Sequence, residues 1–505
     1  MELNRTLVTI LALAISPSLA EARDGRLPAT SCASLAQIRL PHTVITSATF
    51  VEPDGPNPGH CRVLATVAPE TDIEVRLPNE WRERLLQLGG SGFDGTIPNL
   101  NLNAVHLMQG FALAASNGGH RDSTGGPTRL LNQPTLIEDF AHAAIGKTVR
   151  FAKALIEAYY GDRPRYTYFA GCSNGGRGAL NAAAKYGDEY DGVIAGAPSR
   201  NVAGLISGWT RAGLLTPPSP AKLASMYRAQ LTMCDADDGL VDGIIGNPDA
   251  CRFEPASMRC QAGVDDASCL TDAEILAVNT IRSDLELANG RTVYSRLGLG
   301  NPSRGFGVFM PLGPPGSPTA GLFLGAGHLQ YIVYGDPAYD PSTYDVNSDL
   351  RHVTNVIEGV YDFSADTMPL ARYLRSGRKM IVWHGTEDTA LSHLDTVRTF
   401  DRMIGRSGTA AANARLYTPP GVQHCGGGPG ADSFDLIGAL REWVEDGRAP
   451  RTLTASKLDR AGNVLFGRPL CEYPAYPRYV GGDPNDVAAF RCVNARPDHP
   501  ASFRR

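Results

Sequence analysis

The apolar positions of this chain fall into short runs divided by longer amphipathic stretches. Runs near 84–88, 110–115, 166–170, 192–196 and 379–383 are apolar and bounded by glycine, proline or charge. That pattern predicts buried strands. A further strand-like run covers Ala414–Tyr417. Helices are predicted near 136–160 and 174–186, and Phe434, Ile437, Leu440 and Val444 mark one more at helical spacing. Strands alternating with helices predict an α/β class. Between 205 and 372 the pattern changes. This stretch is rich in Pro, Gly and Cys and poor in sheet-like runs, so it reads as an inserted lid domain. The sheet-forming domain then lies in two pieces, 23–204 and 373–505. The Pro- and Arg-rich tail beyond 455 is expected to wrap the surface.

One glycine cluster carries chemistry. Gly171-Cys172-Ser173-Asn174-Gly175 follows the strand-like Tyr166–Ala170 and precedes the helix-like Arg177–Tyr186. The string fits G-x-S-x-G, the nucleophile elbow of the α/β-hydrolase fold, and the strand–turn–helix context is the one that motif requires. An ordinary glycine turn is the competing reading, and that context weighs against it. A serine hydroxyl needs a base beside it to attack at neutral pH. In this fold the partners follow in the order Ser, Asp or Glu, His. The run Lys379–Trp383 ends in His384-Gly385-Thr386-Glu387-Asp388, which puts an acid at the carboxyl end of a strand. Asp388 is the predicted acid. Glu387 is its neighbouring rival, and Asp395 and Asp401 are weaker ones in a helix-like stretch. The predicted base is His424, in the glycine-rich loop Pro419–Gly428.

An oxyanion hole is expected from two backbone N–H groups. One belongs to Asn174, after the nucleophile; the other to the glycine-rich loop Gly89–Gly95. Either Ser91 or Gly92 fits the second place. Cys172 precedes the serine and Cys425 follows the histidine. If these two pair, a covalent link ties the two halves of the site together. A second string, Cys234-Asp235-Ala236-Asp237-Asp238-Gly239-Leu240-Val241-Asp242-Gly243-Ile244, spaces aspartates between glycines. It suits a hard cation with six to eight oxygen ligands, although it lacks the final Glu of an EF-hand. A solvated acidic turn is the competing reading.

These motifs together resemble the tannase and feruloyl esterase family, which includes feruloyl esterases, tannases and mono(hydroxyethyl) terephthalate hydrolase. The resemblance rests on Gly-Cys-Ser-Asn-Gly-Gly-Arg, His-Gly-Thr-Glu-Asp, Gln-His-Cys-Gly-Gly-Gly and the aspartate loop, and runs from about Cys32 to Cys492. It implies an α/β-hydrolase fold with a large inserted lid. It implies a disulfide Cys172–Cys425 beside a triad Ser173, Asp388, His424, with oxyanion donors at Asn174 and the Gly92 loop. It also implies a structural calcium in the lid. By position, its ligands are the carboxylates of Asp235, Asp238 and Asp242 and the backbone oxygens of Leu240 and Ile244; Asp237 matches none. Neighbours along the chain give the remaining pairs Cys32–Cys61, Cys234–Cys251, Cys260–Cys269 and Cys471–Cys492, a set the resemblance supports.

Composition fits an exported globular enzyme. The chain has 505 residues, 43% hydrophobic and 20% charged, enough for one large domain and an insertion. A net charge of −5 with no basic patch argues against nucleic acid. Residues 1–22 read as a signal peptide: a charged start, the apolar Leu7–Ile15, and small residues at Ala20 and Ala22. That run is too short to span a membrane. Ten cysteines, none in a C-x-x-C pair, suit disulfides in a secreted or periplasmic protein. A monomer is expected. The predicted function is a secreted serine carboxylesterase acting on hydroxycinnamate-type aromatic esters, with tannase or mono(hydroxyethyl) terephthalate hydrolase chemistry as alternatives. Between Gly305 and Leu350 there is no Arg or Lys, and Phe306, Phe309, Phe323, Tyr331 and Tyr334 offer aromatic surface, although plain lid core is the competing and weightier reading of these five. A free carboxylate on the substrate would instead want an arginine. The rival from another class is a catalytically idle, calcium-stabilised binding protein on the same scaffold.

Overall fold

The computed structural model describes residues 25–494, apart from 56, 303, 315 and 363–365. The expected leader, 1–22, lies outside the described residues. Nine strands build the main sheet: β1 (Thr43–Val51), β2 (His60–Val67), β3 (Thr71–Pro78), β4 (Arg84–Leu88), β5 (Phe111–Ser116), β6 (Tyr166–Cys172), β7 (Gly192–Gly196), β10 (Lys379–Trp383) and β11 (Ala414–Tyr417). Their order is β1-β2-β3-β5-β4-β6-β7-β10-β11. β1, β2 and β3 pair antiparallel, as do β3 and β5, and from β5 to β11 every pair is parallel. Parallel strands need crossover connections and both faces covered. The helices Ala144–Tyr160, Asn174–Lys185 and Met368–Arg375 cover one face through Val149, Leu180 and Leu370. The helix Leu436–Asp446 covers the other through Leu436, Leu440 and Trp443. This is the α/β-hydrolase fold.

The predicted parallel strands and the helices that follow them stand where the apolar runs place them. β1–β3 do not announce themselves in the pattern. β3 buries Glu74 and Arg76 beside its apolar residues, because Glu74 pairs with both Arg62 and Arg76. β1 is an edge strand with no fully buried position.

Between β7 and β10 the chain leaves the sheet. Its strands there, among the described residues, are the short hairpin β8 (Leu285–Glu286) and β9 (Thr292–Tyr294). Helices dominate, including Val202–Gly213, Pro220–Cys234 and Ala320–His328. Their apolar core includes Leu205, Trp209, Leu324 and Val353, and it is continuous with Phe93, Leu136 and Phe140 from the sheet-forming part. The insertion is therefore packed onto the sheet's carboxyl edge through shared core, not merely tethered to it. The tail forms two hairpins, β12 (Leu453–Leu458) with β13 (Val464–Leu470), and β14 (Ala475–Tyr479) with β15 (Phe490–Asn494). The five disulfides are Cys32–Cys61, Cys172–Cys425, Cys234–Cys251, Cys260–Cys269 and Cys471–Cys492. Among the described residues no helix is long and apolar enough to cross a membrane.

Candidate active site

Ser173 sits between β6 and the helix Asn174–Lys185, with φ +63° and ψ −124°. A non-glycine residue held there stores strain, so its surroundings must fix it. Ser173 N–H donates to Gly196 O (3.0 Å), which anchors the turn to the end of β7. The turn also crosses neighbouring backbone closely. A Cβ on Gly171 would come within 2.5 Å of the Gly175 backbone, and one on Gly89 within 2.6 Å. Glycine is required at both places by this approach.

Asp388 and His424 come from the loops after β10 and β11. His424 Nδ1 lies 2.6 Å from Asp388 Oδ2. A carboxylate accepts, so Nδ1 carries the hydrogen and Nε2 is left with the free lone pair. Asp388 is fully buried and its two oxygens are used in full. Oδ1 accepts the N–H groups of Ala390 and Leu391 (2.8 Å each), and Oδ2 also accepts from His384 Nε2 (3.0 Å). His384 can donate at Nε2 because Thr396 Oγ1 serves its Nδ1 at 2.8 Å. Burial alone would raise the Asp388 carboxyl; the neighbouring His424, and the hydrogen bonds from His384 and His424, outweigh it and hold Asp388 well below the usual carboxylate range.

Glu387 behaves in the opposite way. Burial pushes it up to about 8, against the hydrogen bond from Tyr227 OH at 2.7 Å. It faces the insertion and stays protonated at neutral pH. Asp395 accepts from Asn201 Nδ2 (3.3 Å) and its backbone N–H donates to the Ser392 cap hydroxyl (3.2 Å), and Asp401 lies along the helix His393–Gly405. Of the four acids, Asp388 is the one bonded to His424.

Ser173, Asn174, Cys172, His424, Cys425, Ser91 and Gly92 line one cavity of about 630 Å³. The Cys172–Cys425 bond (Cα–Cα 5.8 Å) ties the serine turn to the histidine loop. Cys425 itself has φ +62°, which turns the chain back after His424. The insertion adds Val202, Leu205, Trp209, Phe306, Leu324 and His328 to the lining, and the sheet-forming part adds further residues that include Asp94, Phe140 and Arg177.

Of the five aromatic residues singled out between 305 and 350, Phe306 lines the cavity, its ring 5.3 Å from that of His424. The other four do not. Phe309 is buried in the insertion core, Phe323 packs edge-on against Phe93, and Tyr334 stacks on Tyr339. Aromatic residues between packed helices fill core before they face a ligand.

Several lining groups escaped the sequence reading. Arg177, the last residue of the elbow motif, is buried and donates from Nε to Asn174 Oδ1 (2.8 Å) and from its terminal nitrogens to the carbonyls of Phe140 and Ala141. Asp94 Oδ1 accepts from Asn174 Nδ2 (2.9 Å). Burial pushes the Asp94 carboxyl up to about 7, against the charge of Arg177 and the bond from Asn174. The pair clamps both ends of the Asn174 amide. Both residues lie inside strings that stand out for their glycines; their own role needed the fold. Trp209 and His328 arrive on separate helices and carry no local signal.

The aspartate loop lies apart; none of Asp235, Asp238, Leu240, Asp242 or Ile244 lines this cavity. Asp235 and Asp238 are buried. Asp235 accepts the N–H groups of Gly243 and Ile244, Asp238 those of Leu240 and Gly246, and Asp242 that of Ile244. Asp242 Oδ2 also pairs with Arg468 of β13 at 2.5 Å. Burial pushes Asp238 up to about 7, and the charges of Asp242 and Asp235 add to it. The donors are hard oxygens, the right chemistry for calcium. As the loop stands, however, no three acidic, His or Cys side chains converge on one point among the described residues.

Comparison with known proteins gives a consistent answer. Residues 58–493 match the family model for tannase and feruloyl esterase. An uncharacterized esterase of Xanthomonas campestris is 30% identical over 98% of this chain and 95% of its own. The mono(2-hydroxyethyl) terephthalate hydrolase of Piscinibacter sakaiensis is 29% identical over 86% of this chain and 85% of its own. The crystal structure of feruloyl esterase B from Aspergillus oryzae superposes with a TM-score of 0.80 at 25% identity, covering 92% of this chain and 99% of that one. Sheet order, serine turn and sequence likeness across almost the whole length agree: the chain belongs to the tannase and feruloyl esterase family of carboxylic ester hydrolases.

Proposed function

We propose that the chain is an exported serine esterase acting on aromatic, hydroxycinnamate-type esters. The observation that carries the reading is the 2.6 Å bond from His424 to the buried Asp388, at a cavity that His424 shares with Ser173. His424 Nε2 takes the Ser173 proton as the hydroxyl attacks the ester carbonyl. Asp388 holds the imidazole in the required tautomer and stabilises its cation. The Asn174 N–H opens a helix and has no acceptor within it, so it faces the developing oxyanion. The Ser91 N–H is directed at the Asp94 carboxyl. That leaves Gly92, in the same loop, as the second donor. The alcohol departs with the proton from His424, and water, activated by the same histidine, releases the acid.

The insertion acts as the lid: Val202, Leu205, Trp209, Leu324 and His328 on its helices, with Phe306, supply the large apolar and aromatic side chains it adds to the cavity. Its apolar lining suits an aromatic acyl group. Relatives named feruloyl esterase support that substrate class. In the lid, Asp235, Asp238 and Asp242 with the carbonyls of Leu240 and Ile244 would hold a structural calcium, which would offset the charge these carboxylates bring together. The leader sequence and five disulfides support export. Ser173→Ala tests the central claim: it abolishes hydrolysis of methyl ferulate and leaves the melting temperature near that of wild type. Turnover near wild type in this variant rejects the nucleophile and leaves the idle binding protein as the better account.

A further inference from the structure

We propose that His328 is a specificity residue: its bare Nε2 accepts a hydrogen bond from a phenolic hydroxyl on the acyl group of the substrate. This rests on the esterase reading above and narrows the substrate within it.

The tautomer of His328 is set by its own helix. His328 Nδ1 lies 2.7 Å from Leu324 O, one helical turn back. A carbonyl oxygen only accepts, so Nδ1 carries the hydrogen. Burial pushes the ring down to about 4, against the bond to Leu324, so it is neutral at working pH. A neutral imidazole with its hydrogen on Nδ1 presents a lone pair at Nε2. That atom has no hydrogen-bond partner among the described residues, yet it is not among the sealed, unpartnered polar atoms. Since His328 lines the cavity, its open side is the cavity side.

The ring cannot turn away. Its centroid is 4.5 Å from that of Phe93, which follows the oxyanion loop, and 6.1 Å from that of Trp209. The chain switches to a π-turn over Leu329–Val333 immediately after His328. A second π-turn, Asp139–Ala143, brings Phe140 to the same cavity. Such turns mark places where a helix has been adjusted to a site. The result is a fixed acceptor in an aromatic and aliphatic wall.

A donor of matching chemistry is a phenol. A substrate carboxylate is a poor match. Among the described residues the only Arg or Lys lining the cavity is Arg177. Its guanidinium is already taken up by Asn174, Phe140 and Ala141. The nearest free lone pair would repel a carboxylate, and Asp94 adds to that. An acyl group with a hydroxyl on its ring is therefore favoured over the half-ester of an aromatic diacid.

The test compares kcat/KM for methyl 4-hydroxycinnamate, methyl 3-hydroxycinnamate, methyl cinnamate and methyl 4-methoxycinnamate. Wild type is expected to prefer one of the two phenols over the unsubstituted and methoxy esters by about three- to tenfold, the worth of one neutral hydrogen bond. In His328→Phe that ratio falls toward one. In His328→Gln, whose amide oxygen can accept, part of the ratio returns. Equal wild-type rates on phenol and cinnamate overturn the proposal and leave the esterase standing. So does a His328→Phe enzyme that keeps the preference. If His328→Phe does not fold, the wild-type ratio and the glutamine variant still decide. A wild type inert toward all four esters overturns the esterase reading itself, and this one with it.

Discussion

Replacing Asp388 by Asn perturbs one atom of a buried group and leaves its shape. The structure dictates which atom changes. Oδ1 accepts two backbone N–H groups, from Ala390 and Leu391, and an amide nitrogen there would face two donors. The amide therefore keeps its oxygen on that side and turns its NH₂ toward His424 Nδ1 and His384 Nε2. His424 must then accept at Nδ1 and carry its hydrogen on Nε2. In that tautomer it cannot take the Ser173 proton. It also loses the buried negative charge that would stabilise its cation. The same exchange in serine proteases lowers kcat by about 10⁴-fold, equivalent to about 5.5 kcal/mol of barrier. A loss of about 10³- to 10⁴-fold is expected here, read as burst and steady-state release of 4-nitrophenol from its acetate. Circular dichroism melts confirm folding. Because Asp388 is held well below its unfolded pKa, it stabilises the fold above about pH 4 and that contribution fades as pH falls further. The variant should accordingly lose stability at pH 7, and lose progressively less as pH falls below about 4. Retention of more than a tenth of wild-type kcat would refute the assignment, and more so if Glu387→Gln were the variant that failed.

Three further outcomes are expected. Burial holds Glu387 protonated up to about 8, so the folded chain binds that proton more tightly than the unfolded one. Wild-type stability relative to Glu387→Gln therefore falls as pH rises from about 4.5 to 8; urea melts with parallel pH dependence would contradict this. Cys172→Ala with Cys425→Ala should cost about 2–4 kcal/mol at most, since four disulfides remain, and lower activity more than stability. Peptide mapping that finds either cysteine free would refute that geometry. Chelation should lower the melting temperature, by up to about 2.7 kcal/mol of stability when calcium stood at a hundred times its dissociation constant. Asp242→Ala should mimic chelation while Asp237→Ala does much less, and protein that carries no calcium and melts unchanged with chelator removes the site.

The site was legible where chemistry leaves a local mark. The elbow needs glycines at fixed offsets from Ser173 because backbone crosses backbone there. Asp388 and His424 stand in loops directly after strands, with no core role to explain them. What stayed hidden is held by contacts distant in sequence. Asp94 and Arg177 act through Asn174, and His328 through Leu324 and Phe93. Of the antiparallel strands, β1 was hidden because it is an edge strand with no fully buried position, and β3 because buried Glu74 and Arg76 satisfy each other, which breaks its apolar signal. The aromatics of the insertion left two readings open in the sequence, substrate surface and plain core; packing separates them, lining the cavity with Phe306 and keeping the other four out of it.

The bond between Cys172 and Cys425 also has a topological effect. It closes a covalent ring whose circumference contains all of β7, the insertion, β10 and β11. A protease that cuts anywhere inside that ring opens the circle without parting it. The two fragments remain one molecule, with Ser173 on one piece and His424 on the other at their original spacing. Exposed loops of the insertion, such as the turn near Gly263, can thus be nicked while Ser173 and His424 stay in register. Only a cut followed by reduction separates them. The part of the molecule most open to attack is enclosed by the link that holds its chemistry together.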